Sequence, residues 1–352
     1  MSLFHAKHAK HAKSDDMPDG QGALLSLALM RTRDAIAGTE DPQGRGGSPA
    51  MLAPGARLAR LDPDHRAAIL LAELSEDLPL SADDGVAGAS SASLLCRQAD
   101  GTCASLVRID RPDLVQFREA AAMVGHYAEL RPDRAPEIEV QTHGLMPFFA
   151  AIRPLEPSRN PATLEMLARA MDLTTAAVMR LKLALACPRP TQFSDLIQPM
   201  IACPSHPTLP SGHATQAFCL ATLLTRLDDP QAPPRADDPL FRLACRIAVN
   251  RTVAGVHFPA DSAAGAVLGM QLAHYMLARA DPAATAHGAQ FDGRLYHDGG
   301  AVRDFHYGIL AEMLDDADPA TRLRGPALAP RPAPLWATLV ARARDERADR
   351  WS

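Results

Sequence analysis

The sequence predicts a mainly α-helical fold, and three observations carry that expectation. Hydrophobic residues make up 47% of the 352-residue chain, enough for a sizeable buried core. Aromatic residues are only 5%, whereas strands draw on aromatic and β-branched side chains. Beyond about residue 110, finally, apolar positions recur at helical rather than alternating spacing.

Taken in order, the chain opens on His5-Ala6-Lys7 repeated three times, the composition of a tag or a disordered tail. Residues 35–56 are rich in Gly and Pro, so 1–56 read as a disordered tail and linker. Asp62 before Pro63 predicts an N-cap for a helix through 67–74. Residues 93–109 give the one β signal, a short hairpin turning at Asp100-Gly101. A single helix is expected over 113–130, halted by Pro132. Asn160 and Pro161 should cap and begin a long helix that ends at Pro188. Further helices are expected over 211–227, 239–256 and 262–280. These elements define a helical domain over 57–325, followed by a Pro-rich C-terminal extension, 326–352.

Composition excludes several function classes. The formal charge is −5, with no basic block after the first residues, which argues against nucleic acid or an anionic membrane as partner. No run reaches the roughly 18–20 apolar residues that a membrane span needs. Residues 22–30 are apolar, but Asp15, Asp16 and Asp19 precede them and Arg31 and Arg33 follow without a small-residue cleavage site. A signal peptide is therefore not expected, and a cytoplasmic location is. The six cysteines lack CxxC pairing, which points to free thiols rather than a zinc or disulfide framework. His126, His143, His274, His287, His297 and His306 read as ordinary face or loop residues, and Asp237-Asp238 and Asp315-Asp316 as loop charges.

Three segments carry chemistry. Lys182 and Arg189 lie seven apart, nearly two helical turns at about 100° per residue, with Arg189 on the exit turn between Pro188 and Pro190. In His206-Pro-Thr-Leu-Pro210-Ser211-Gly212-His213, Pro210 forces an extended approach and Ser211 can cap the next helix. Gly212 lets a ligand approach the backbone, and free helix-start amides meet an imidazole, an anion site beside an acid/base group. In the third segment, His257 and Asp261 are four apart, so the carboxylate can fix one ring nitrogen and make the other more basic. Arg251 adds a planar, permanently charged fork.

In this order the segments resemble the signature of the type-2 phosphatidic acid phosphatase (PAP2) and vanadium-dependent haloperoxidase superfamily: Lys-x6-Arg-Pro, Pro-Ser-Gly-His, and Ser-Arg-x5-His-x3-Asp. Lys182, Arg189, Pro190, Pro210, Ser211, Gly212, His213, Arg251, His257 and Asp261 stand in register, while Asn250 replaces the usual Ser. The resemblance covers about 160–280 and implies a helical bundle presenting these residues to one oxyanion. Lys182, Arg189 and Arg251 would neutralise its oxygens, and Ser211 and the Gly212 amide would donate to it. His257 would be the nucleophile on phosphorus or the ligand of vanadium, with Asp261 orienting it and His213 as general acid/base.

Two reactions stay open. His206, five residues before Ser211, resembles the bromoperoxidase form of the motif, and favours a haloperoxidase-like enzyme that uses vanadate, hydrogen peroxide and a halide. The Trp that haloperoxidases often place three residues before the lysine is Met179 here. The alternative is an acid phosphatase that hydrolyses phosphomonoesters through a phosphohistidine and needs no cofactor. Homo-oligomerisation is compatible with either.

Overall fold

The computed structural model describes residues 21–37, 50–83 and 88–348. The chain divides into two units, 1–52 and 53–352. In the first, Gln21–Ile36 form helix α1, so the tail expected over 1–56 contains regular structure; the His/Lys repeat lies outside the described residues.

The second unit begins with helices α2 (Pro54–Leu58) and α3 (Pro63–Ser75), then strands β1 (Leu80–Ala82), β2 (Ser91–Arg97) and β3 (Cys103–Asp110). Next come α4 (Leu114–His126), α5 (Arg131–His143), α6 (Met146–Ile152), α7 (Pro161–Leu185), α8 (Gly212–Asp228), α9 (Pro239–Val253) and α10 (Pro259–Ala280). The chain closes with short strands β4 (Ala286–His287), β5 (Ala289–Asp292), β6 (His297–Asp298) and β7 (Ala301–Val302), helix α11 (Tyr307–Leu314), strands β8 (Thr321–Arg322) and β9 (Ala327–Leu328), and helix α12 (Pro334–Ala348).

The mainly helical expectation holds, with four local corrections. Pro132 does not halt a helix: a 3-10 turn, Tyr127–Leu130, passes directly into α5, where Pro132 occupies the first turn, a position at which its missing N–H costs nothing. Asn160 does not cap α7, because its Oδ1 accepts from the Glu156 amide instead. The capping carboxylate comes from Glu346 on α12, which accepts from the amides of Ala162 and Thr163 at 2.7 and 2.8 Å. Asp62 precedes α3 but makes no side-chain cap. The hairpin turns at Gly101, φ +88°, as expected, yet it belongs to a five-stranded sheet ordered β1-β2-β3-β5-β8, with β3 and β5 parallel.

The core forms around α8 and α10. Helix α10 is buried over almost its whole circumference, as a helix apolar on all sides must be. Gly265 and Gly269, one turn apart, let it press onto the start of α8. A Cβ at Gly265 would lie 2.8 Å from the Ser211 carbonyl oxygen, and one at Gly269 would run into the Thr215 carbonyl. This close approach lets the Ser211 amide donate to the Asp261 carbonyl at 2.9 Å. Gly269→Ala is therefore expected to destabilise the fold by about 1–3 kcal/mol through overpacking; an unchanged urea midpoint would contradict this packing.

Candidate oxyanion site

The site forms where the start of α8, the end of α9, the start of α10 and the strap after α7 converge. Helix α7 stops at Leu185 because Ala186 turns left-handed, φ 50°. Lys182 thus stays on its last turn, and Arg189 follows in extended backbone. Ser211 caps α8, its hydroxyl accepting from the Ala214 amide at 3.4 Å. That leaves the Gly212 amide among the first-turn donors that lack intrahelical partners. His257 precedes α10, and Asp261 lies in its first turn.

All of these groups are deeply placed. Among Lys182, Arg189, Ser211, Arg251, His257 and Asp261, the most exposed is His257 at 4%. His206, Gly212 and His213 are half-buried and form the outer edge.

The three cations hold neutral groups. Lys182 Nζ donates to the carbonyls of Pro207 and Thr208 at 2.7 and 2.6 Å. Arg189 donates to the carbonyls of His206 and Val256 at 3.0 and 2.6 Å. Arg251 Nη2 donates to Gln141 Oε1 at 2.8 Å, while its Nε and Nη1 are buried with no partner. Burial drives the Lys182 ammonium well below its ordinary pKa, with the Arg189 charge adding to the effect. Burial likewise lowers Arg251, to about 10. Asp261 acts on Lys182 and Glu137 on Arg251 only from a distance; buried cations with no carboxylate in ion-pair contact are costly, and a bound anion would oppose both shifts.

The histidines are held in defined tautomers. Asp261 Oδ2 receives the Thr208 hydroxyl at 2.5 Å, the Phe258 amide at 2.9 Å and His257 Nδ1 at 2.9 Å. The proton is accordingly assigned to Nδ1, which leaves the His257 Nε2 lone pair 3.4 Å from Arg189 Nη1. Burial pushes the Asp261 carboxyl up to about 6, against the pull of Thr208 and the Phe258 amide, so it remains a carboxylate at neutral pH. Burial, then Lys182 and Arg189, hold His257 far below its usual range, as a neutral imidazole. His213 Nε2 lies 3.2 Å from the Gln141 carbonyl. A carbonyl can only accept, so Nε2 carries a proton and Nδ1 is the titrating atom. Burial, then Arg251, lower its pKa as well.

His206 Nδ1 lies 3.1 Å both from Arg189 Nη2 and from the Pro207 carbonyl. One tautomer satisfies only one of these contacts; with Arg189 donating, the His206 proton sits on Nε2.

All the residues anticipated from the motifs thus converge on one region. Two participants were not anticipated. Thr208 lies within the second motif and binds Asp261. Gln141 has no sequence signal, because it lies on α5, beyond the proline expected to end the preceding helix. Its carbonyl holds His213, and its side chain holds Arg251 and Asn250. Asn250, at the position where the motif has Ser, donates to Glu137 at 2.9 Å and accepts from Arg134 at 2.9 Å. It ties α9 to α5 instead of entering the site.

Fold and site together define a helical-core protein with a buried cluster of cations that carries two oriented imidazoles. A model of the PAP2 superfamily matches residues 163–282, the segment that holds every one of the motif residues, and this match supports assigning that segment to the superfamily. Its members are generally phosphatase-like or haloperoxidase enzymes. No curated protein matches the chain. Among the described residues, no helix is long and apolar enough to cross a membrane.

Proposed function

We propose that the chain is an enzyme that holds an oxyanion against His257, and that its reaction is haloperoxidase-like oxidation of a halide by hydrogen peroxide with vanadate as cofactor. The observation that carries the oxyanion reading is Arg251: a buried guanidinium whose Nε and Nη1 lack partners, in a cluster with two further buried cations. That donor set fits a vanadate, with Lys182, Arg189 and Arg251 as its counter-charge, Ser211 and the Gly212 amide as further donors, and His257 Nε2 as its ligand. Bound vanadate would supply the activation of peroxide. The burial of these groups favours reactants as small as peroxide and halide, and His206, whose Nδ1 lies 3.1 Å from Arg189 Nη2 at the edge, would be the first side chain to meet them.

Phosphomonoester hydrolysis is the second reading, and the His257–Asp261 pair favours it. In that reaction the unprotonated Nε2 attacks phosphorus while His213 Nδ1–H protonates the departing alkoxide. Nδ1 then takes a proton from water as the phosphohistidine is hydrolysed. Three fixed cations would stabilise the spreading charge.

One preparation tests both readings. If vanadate is the cofactor, dialysed protein is inactive towards bromide and peroxide, orthovanadate restores activity, and excess phosphate competes. His206→Ala then reduces halide oxidation more than vanadate affinity. Hydrolysis of a phosphomonoester without added metal, inhibited by vanadate as a transition-state mimic, with no halide oxidation at any vanadate concentration, would replace the first reading by the second.

A further inference from the structure

We infer a second anion-binding site at the opposite end of α10, built for a small hydroxylated phosphate or phosphonate group. From Asp261 to His274 the helix runs about 20 Å at 1.5 Å per residue, so this site is separate from the oxyanion pocket. Gln271 and His274, three apart on one face of α10, line a cavity of about 210 Å³ together with Arg226 of α8, His287 of β4 and Arg324. That volume is smaller than the roughly 300–1,000 Å³ of pockets for drug-sized ligands, which limits the occupant to a small molecule.

The lining has one sign of charge. Among the described residues, no carboxylate lines this cavity. The Arg226 guanidinium donates to the Pro230 carbonyl, and Arg324 keeps only a loose contact with Asp316 at 3.8 Å. Two guanidiniums that no carboxylate engages by a hydrogen bond, Asp316 lying at 3.8 Å from Arg324 and Asp229 acting on Arg226 only through its charge, match a dianion.

Two further polar atoms are buried with no partner, Gln271 Oε1 and His274 Nε2. Gln271 is only 2% exposed, and its Nε2 donates to the Leu323 carbonyl at 3.1 Å. That bond fixes the amide orientation, so the atom left over is an acceptor and requires a donor. Buried polar groups of this kind are normally satisfied. A phosphate alone would answer the arginines; a hydroxyl on the same molecule would answer Gln271. Burial, then Arg226, hold His274 down at about 4, a neutral imidazole that can serve as donor or acceptor to such a ligand.

Calorimetric titration of the full chain with a non-hydrolysable dihydroxybutyl phosphonate tests the site, because no turnover can obscure the binding. Arg226→Gln and Arg324→Ala are each expected to weaken binding roughly tenfold or more, while Arg251→Ala leaves this site intact. Arg324 is a surface residue, so its loss does not threaten folding. Gln271→Met should weaken the dihydroxy ligand more than plain butyl phosphonate. Unchanged binding in both arginine variants overturns the proposal. So does binding that disappears only in Arg251→Ala, which would place the ligand in the oxyanion pocket. Since the Arg226 and Arg251 variants read different sites, failure of the proposed activity leaves this result unaffected.

Discussion

His257→Ala is expected to lower turnover by on the order of 10⁴-fold or more, the scale on which loss of a covalent nucleophile is felt, while the fold persists. Its Nε2 is unprotonated and lies 3.4 Å from Arg189 Nη1, and its tautomer is fixed by Asp261 from the other side of the ring. Both proposed reactions pass through that atom, so the variant should be inactive in bromide oxidation with vanadate and in phosphomonoester hydrolysis alike. Anion affinity should fall far less, because Lys182, Arg189 and Arg251 remain. A variant that retained turnover in either assay would remove His257 from the chemistry. Asp261→Asn gives a graded companion test. The amide can present either an oxygen or an N–H to Nδ1, and the Thr208 and Phe258 donors favour the oxygen. Loss of the negative charge alone should then lower the basicity of Nε2 and reduce turnover with little change in structure.

The parts of the fold legible in the sequence were those with local causes. Helices α7, α8, α9 and α10 announced themselves through apolar periodicity, through Ser211 as a cap and through prolines in first turns. The site was legible for a related reason: its residues cluster in three short strings, each at a helix end where backbone geometry fixes what neighbours what. Misreadings came where the cause is distant. Glu346 caps α7 from a helix nearly two hundred positions away, and no local pattern announces that. Strands β5 and β8 are four and two residues long, too short for an alternating signal; they exist because β3 offers β5 an edge and β5 in turn offers one to β8. Gln141 was hidden by Pro132, a helix breaker by propensity that becomes harmless when a 3-10 turn delivers the chain into a new first turn.

That same helix, α5, gives the last prediction its shape. His213→Ala is expected to lower turnover roughly 100-fold or more, the usual contribution of a positioned general acid/base, while leaving oxyanion affinity nearly unchanged. The Gln141 carbonyl engages Nε2–H and leaves Nδ1 as the only atom through which His213 can exchange a proton. In the anion-free protein, burial and Arg251 hold this imidazole well below 6.5. A bound dianion beside Arg251 offsets that charge and raises the imidazole pKa. The profile of kcat/KM reports the free enzyme and that of kcat the bound complex, so the His213 pKa should lie higher in kcat than in kcat/KM. In His213→Ala that pKa should vanish from both profiles. An unaltered pH dependence accompanying the loss of rate would mean that His213 only holds the start of α8 in place, and that protons travel by another group.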